Sequence, residues 1–156
     1  MALSYLCSND FELRDELIIK SDYGQDITNL VLFYSIECPH CKDMLKIFRK
    51  LPQQVSGINI SILNINKHDN KRIVIESKNT KNTKIEYVPY ILLFHNGEAI
   101  ARYDDDADMN SMLHFIKEAT QNITQSFEKK EPEPGIKPLA IRSKHGRGRC
   151  FLGDVN

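Results

Sequence analysis

The sequence predicts an α/β fold: a central mixed, mostly parallel sheet flanked by helices, with a C-terminal extension. Three observations lead there. The run Leu30-Val31-Leu32-Phe33-Tyr34 is continuously apolar, as a strand buried on both faces must be. Strand-like and helix-like segments alternate along the chain, an order that gives parallel strands joined through helices. One Asn-Gly pair, Asn96-Gly97, separates two apolar runs and adds an antiparallel hairpin at the sheet edge.

Taken in order, Ala2 to Leu6 is short and apolar-rich and reads as a first strand. From Asn9, residues Phe11, Leu13, Leu17 and Ile18 recur at helical spacing, and Asn9 with Glu12 offers a capping-box start, so a helix is expected. Ser21-Asp22-Tyr23-Gly24 reads as a loop before the buried strand. A helix follows from Lys42 to Leu51, with Met44, Leu45, Phe48 and Leu51 on one stripe and Pro52 as its stop. Ile58 to Ile65 largely alternates apolar with polar and gives the third strand. The Asn- and Lys-rich stretch Lys67 to Lys84 holds a short helix around Arg72 to Lys78. Tyr90 to Phe94 and Ala99 to Tyr103 are the arms of the hairpin, and Met112, Phe115, Ile116 and Ala119 mark a closing amphipathic helix from Asp108.

Past Phe127 the character changes. Glu128 to Gly135 is a charged, proline-broken linker, Arg142 to Arg149 is basic and glycine-loosened, and Cys150-Phe151-Leu152 is a last apolar patch. The expected organisation is a domain over residues 1–126 and a tail over 127–156. The 156 residues suffice for one domain with a sizeable core. Twenty-one basic against 21 acidic side chains give no overall sign of a nucleic-acid or membrane partner. The basic run Arg142 to Arg149 lacks interleaved aromatic residues, so it reads as a solvated or partner-bound tail rather than a nucleic-acid surface. Mean hydropathy of −0.41 fits a soluble globular chain. The start has no secretory pattern and no run approaches a membrane span, so the expected address is the reducing cytoplasm.

The chemistry is expected at Cys38-Pro39-His40-Cys41. Two thiols three positions apart, between a strand and a helix, read as a dithiol redox centre. On a first helical turn these positions share a face, close enough to close a small disulfide ring. The first sulfur then sits among free N–H groups at the positive helix end, where a thiolate is stabilised. Cys38 is therefore the expected nucleophile and Cys41 the resolving thiol. A structural pair or half a zinc site is the alternative. A zinc site needs two further ligands at ligand spacing, and neither Cys7, Cys150, His68 nor His95 supplies them; no metal is expected. Cys7 reads as a small core residue. Cys150 reads as a free tail thiol, with a docking residue or an intermolecular disulfide partner as alternatives.

With these segments in place the chain resembles the thioredoxin superfamily over roughly residues 2 to 122. The strand, the C-x-x-C and Lys42, then Leu63-Asn64-Ile65-Asn66, then Tyr87-Val88-Pro89-Tyr90-Ile91-Leu92-Leu93-Phe94-His95-Asn96-Gly97 follow the family's order and spacing. The resemblance implies a thioredoxin fold and a cis peptide bond before Pro89, facing the dithiol. It also implies that the Val88 backbone is an edge for an extended substrate chain. The Asn, Lys and Ile bias of Lys67 to Lys84 suits an AT-rich genome, and thioredoxin-like proteins of large cytoplasmic DNA viruses are similar in this; a viral source adds virion association as an address.

Departures from the family pattern sharpen the expectation. Glu37 replaces the family's Trp before the first Cys. The family's buried Asp is Leu32 here and its partner Lys is Ile62, which removes the pair thought to move the proton of the second Cys. Pro39-His40 resembles instead the disulfide-forming oxidant of the bacterial periplasm and is near the Gly-His of protein disulfide isomerase. A protonated His40 stabilises a Cys38 thiolate, and so the reduced form, which makes the disulfide a stronger oxidant. His40 as a solvent-exposed spectator is the alternative.

The resemblance thus implies a protein thiol–disulfide oxidoreductase more oxidising than ordinary thioredoxin, with Pro39 and His40 tuning the couple. It would need no dissociable cofactor, act on protein thiols or disulfides, and be recycled by a separate reductase or oxidase. Two competitors stand beside it. One is a redox-quiet interaction module working through its tail; the other is a glutaredoxin, which would want Gly-Gly where Asn96-Gly97-Glu98 stands.

Overall fold

The computed structural model describes residues 2–20, 26–128, 140–142 and 148–153. The loop expected at Ser21 to Gly24, most of the proline-broken linker and the centre of the basic run lie outside them. The strands are β1 (Ser4–Tyr5), β2 (Phe11–Leu13), β3 (Leu17–Ile19), β4 (Thr28–Tyr34), β5 (Asn59–Asn64), β6 (Tyr87–Val88), β7 (Tyr90–His95), β8 (Glu98–Tyr103), β9 (Ala140–Arg142) and β10 (Cys150–Phe151). The helices are α1 (Pro39–Gln54), α2 (Lys71–Ser77) and α3 (Met109–Glu128), with single 3-10 turns at Ser8–Asp10 and His68–Asn70.

Among the described residues one sheet runs in the order β1-β5-β4-β7-β8-β3-β2, with β9 also on β8, and β10 pairs separately with β6. β4 is central, parallel to β5 and antiparallel to β7, and its residues Leu30 to Phe33 are fully buried, as the uninterrupted apolar run requires. Two cores pack on opposite faces. One gathers Leu30, Leu32, Ile60, Ile62 and Ile91 under Met44, Phe48, Leu51, Met112 and Phe115 from α1 and α3. The other gathers Phe11, Val31, Phe33, Tyr90, Leu92 and Phe94 with Ile73 and Val74 of α2, and includes Cys38 and Cys41.

The mixed sheet expected from sequence is present, but its balance differs. Parallel pairing joins β1 to β5, β4 to β5 and β8 to β9, while β2/β3, β3/β8, β4/β7 and β7/β8 are antiparallel. Part of the shift comes from β7, which runs antiparallel to β4, and the rest arises where the sequence predicts a helix from Asn9. That segment is a 3-10 turn and a β-hairpin, with Phe11, Leu17 and Ile19 buried and Glu12 exposed. Its apolar spacing satisfies period two on each arm once Arg14-Asp15-Glu16 turns the chain. Glu16 fixes the turn through long-range contacts: its carboxylate accepts from Asn82 N–H (2.9 Å) and Thr83 Oγ1 (2.7 Å), and Thr83 Oγ1 accepts from Leu17 N–H (3.0 Å). Local periodicity does not carry that information.

A smaller difference is at Pro52, which lies inside the last turn of α1 rather than stopping it. Proline lacks only its own N–H, so the turn continues until Val55 N–H closes on the Leu51 carbonyl at 3.1 Å. The Asn96-Gly97 turn joins β7 to β8 with both residues at positive φ, 51° and 89°, the geometry that Asn-Gly hairpins favour. A Cβ at Gly97 would lie 2.9 Å from the Ile19 carbonyl oxygen, so close approach of β3 demands glycine as well. No described helix is long and apolar enough to cross a membrane.

Candidate active site: a dithiol beneath a docked tail

The site lies where β4 delivers the chain to α1. After Tyr34 the backbone is held turn by turn: Ile36 N–H donates to Asn66 Oδ1 (2.9 Å), Glu37 N–H to Ser35 Oγ (3.2 Å) and Cys38 N–H to the Ser35 carbonyl (3.3 Å). Cys38 caps α1, and Pro39 begins the helix, where a missing N–H costs nothing. One turn on, Cys41 N–H donates to the Cys38 carbonyl (3.1 Å), and Cys41 Sγ accepts from Ser35 N–H (3.5 Å). Cys41 is fully buried, whereas Pro39 and His40 are exposed. This is the layering of an outer and an inner sulfur.

Across the cleft, the Val88–Pro89 peptide bond is cis. Cys38 Sγ lies 3.7 Å from the Val88 carbonyl oxygen. The structure therefore brings Cys38, Pro39, His40, Cys41, Val88 and Pro89 to one place. Leu32 and Ile62 stand opposite each other across the β4/β5 pair, both buried in the core on the other face, so no titratable pair occupies those positions. Among the described residues no cluster of three or more His, Cys, Asp or Glu is placed to hold a metal.

Nearby titratable groups are held in one state. Burial pushes the Tyr90 phenol up to about 12, against the opposing pull of Arg102. Burial works against the Arg102 charge, yet the Tyr90 contact leaves it raised. The Tyr34 phenol is raised by burial, with Tyr5 adding to it.

Two cysteine readings change. Cys7 is exposed, not a core residue, because β1 ends at Tyr5 and the following 3-10 turn leaves its side chain at the surface. Cys150 is not a free tail thiol: it is disulfide-bonded to Cys38, across a sequence separation of 112 residues and a Cα–Cα distance of 6.0 Å. Around that bond the tail lies along the Val88 edge, with Cys150 opposite Val88 and Phe151 opposite Tyr87 in the antiparallel β10/β6 pair, and Leu152 N–H donates to the Glu86 carbonyl (2.8 Å). Arg149 pairs with the buried Asp104 and sits 4.4 Å above the Tyr87 ring centroid. The Phe151 ring meets the Tyr87 ring edge-on at 5.9 Å. Gly148 lies against His40 so closely that a Cβ there would overlap the imidazole.

Tyr87, Asp104, Arg149 and Phe151 were not singled out as site residues in the sequence. The available signal was Arg149-Cys150-Phe151-Leu152 itself, a cysteine set in an apolar patch at the end of a basic tail.

Comparison with known proteins places this geometry. A family model described as Thioredoxin matches residues 15–118. The chain is 25% identical over 134 residues to uncharacterized protein 196R of Invertebrate iridescent virus 6, covering 83% of this chain and 75% of that protein. It is 27% identical over 100 residues to uncharacterized protein 020R of Invertebrate iridescent virus 3, covering 62% of this chain and 58% of that protein. Relatives of this kind are consistent with a viral source. The fold superposes on thioredoxin f from spinach chloroplast (short form) with a TM-score of 0.52 at 15% identity, covering 76% of this chain and 94% of that one. At that identity the likeness is one of fold.

Proposed function

Because this chain belongs to the thioredoxin family, we propose that it is a protein thiol–disulfide oxidoreductase working through Cys38 and Cys41. The observation that carries this reading is the position of Cys38 Sγ, 3.7 Å from the Val88 carbonyl and one helical turn from the buried Cys41 sulfur position. An extended substrate chain pairing with β6 would present its sulfur at Cys38. Cys38 thiolate attacks a substrate disulfide, forming a mixed disulfide and releasing one substrate thiolate. Cys41 thiolate then attacks Cys38 Sγ, which closes Cys38–Cys41 and releases the second. The reverse sequence oxidises a substrate dithiol.

The finer reading is a couple more oxidising than ordinary thioredoxin. Support comes from His40, two residues after the nucleophile on the exposed first turn of α1. Protein substrates, a separate recycling reductase or oxidase, and a cytoplasmic or virion-associated setting complete the proposal. Turnover of a protein disulfide with dithiothreitol tests it: Cys38→Ser should abolish turnover, and Cys41→Ser in a Cys150→Ser background should accumulate a mixed disulfide at Cys38. Undiminished turnover by Cys38→Ser would contradict it.

A further inference from the structure

We infer that Cys150 is a third redox thiol of this centre, and that Gly148–Leu152 is a tethered substrate from which the disulfide moves to and from the Cys38/Cys41 pair. The inference rests on the proposed function above and extends it to the tail.

A covalent bond alone would say little, since any cysteine brought near Cys38 can be oxidised onto it. The bond here sits inside a docked peptide whose consecutive residues each meet a different part of the domain. Gly148 packs on His40, where an added Cβ would have to displace the imidazole. Arg149 places its guanidinium between the Asp104 carboxylate and the Tyr87 face. Such a charge-assisted contact combined with a cation–π contact fixes a planar cation in position and register. Cys150 is thereby set opposite Val88, and Phe151 and Leu152 continue the chain along Tyr87 and Glu86. Upstream, β9 runs parallel to β8, with Ala140 opposite Ala101 and Arg142 opposite Tyr103, so the tail is also held on the strand that leads to Asp104.

The exchange balances without an added oxidant or reductant. With Cys38–Cys150 bonded and Cys41 as a thiol, the Cys41 thiolate attacks Cys38 Sγ. The Cys38–Cys41 bond forms, the Cys38–Cys150 bond breaks, and the electron pair leaves on Cys150 Sγ, which takes up the proton Cys41 has lost. One disulfide and one thiol are present before and after. In reverse, Cys150 thiolate opens Cys38–Cys41 and regenerates the state seen here. The disulfide itself enters from a protein or glutathione disulfide. Docked, the tail leaves Cys38 only 2% exposed, so it shares the edge with external substrates. An Arg before the cysteine and an aromatic residue after it are the features that this edge reads.

The test uses the full chain, poised in a glutathione buffer that leaves one disulfide per molecule, then acid-quenched, alkylated, digested and weighed. Expected are both Cys38–Cys41 and Cys38–Cys150 in the native sequence, and Cys38–Cys150 as the main species in Cys41→Ser. Arg149→Ala should lower the Cys38–Cys150 to Cys38–Cys41 ratio by about fivefold, with Arg149→Lys in between, as loss of one charged contact implies. Cys38–Cys41 forming alone, with Cys41→Ser taking up glutathione at Cys38 and leaving Cys150 reduced, would overturn the inference and leave the proposed function intact. Neither bond forming would overturn both. A Cys38–Cys150 bond that does not exchange while Cys41 is a thiol would also overturn it.

Discussion

Cys150 stands opposite Val88 across an antiparallel strand pair, with its sulfur joined to Cys38. The pairing defines how a cysteine-bearing chain lies in this site: extended, antiparallel to β6, with the preceding residue over Tyr87 and Asp104. If the tail and external substrates use the same edge, removing the tail must expose the nucleophile. A chain ending at Arg142 keeps β9 on β8 and loses the docked peptide. It is expected to turn over a protein disulfide several-fold faster than the full chain. Equal or slower turnover would show that the tail does not compete.

Leu32 faces Ile62 across the β4/β5 register, both buried in an apolar core. Leu32→Asp should cost about 3–5 kcal/mol in denaturant unfolding, because it buries an uncompensated charge. Adding Ile62→Lys should recover part of that loss, since the two side chains are neighbours in register. A double mutant whose loss equals the sum of the singles would deny the coupling.

The Glu16 carboxylate links the β2/β3 turn to the segment that precedes Tyr87 and Val88, through Lys81, Asn82 and Thr83. Glu16→Ala is expected to lower stability by about 2–3 kcal/mol, as loss of several hydrogen bonds to a charged group implies. Glu12→Ala, at an exposed position two residues before Arg14, should change little. Equal effects of the two substitutions would contradict the assignment.

Tyr90 sets an alkaline limit. Its phenol titrates at about 12 in the fold against an ordinary value near 10. The unfolded chain therefore loses its proton first as pH rises. The stabilisation is fully present below about pH 10 and is lost between about pH 10 and 12, amounting to roughly 3 kcal/mol. Tyr90→Phe should flatten that limb of the thermal stability profile. An unchanged slope between pH 9.5 and roughly 11.5 would assign the limb to other groups.

The parts of the structure legible in the sequence were those governed by local pattern. The buried run of β4, the stripe Met44, Leu45, Phe48 and Leu51, and the Asn96-Gly97 turn each carry their own periodicity or backbone demand. The hairpin at Phe11 to Ile19 was hidden because its spacing also fits a helix; what decides it is Glu16 and Leu17 bonding to residues 81–83, far away in sequence. The tail was hidden for the same reason. Arg149 and Cys150 gain meaning only once β8 presents Asp104 and β6 presents Tyr87 and Val88, and no local rule links residue 150 to residue 38.

The most direct test of the dithiol as an exchange centre is the equilibrium reduction potential of Cys38–Cys41 in a Cys150→Ser chain, titrated against glutathione and read by mass after alkylation. A value between about −180 and −120 mV is expected, falling in His40→Gly by up to about 30 mV for each tenfold of thiolate stabilisation lost. A value near about −270 mV, unmoved by His40→Gly, would contradict the oxidising reading, and failure to form Cys38–Cys41 at all would contradict the exchange chemistry itself.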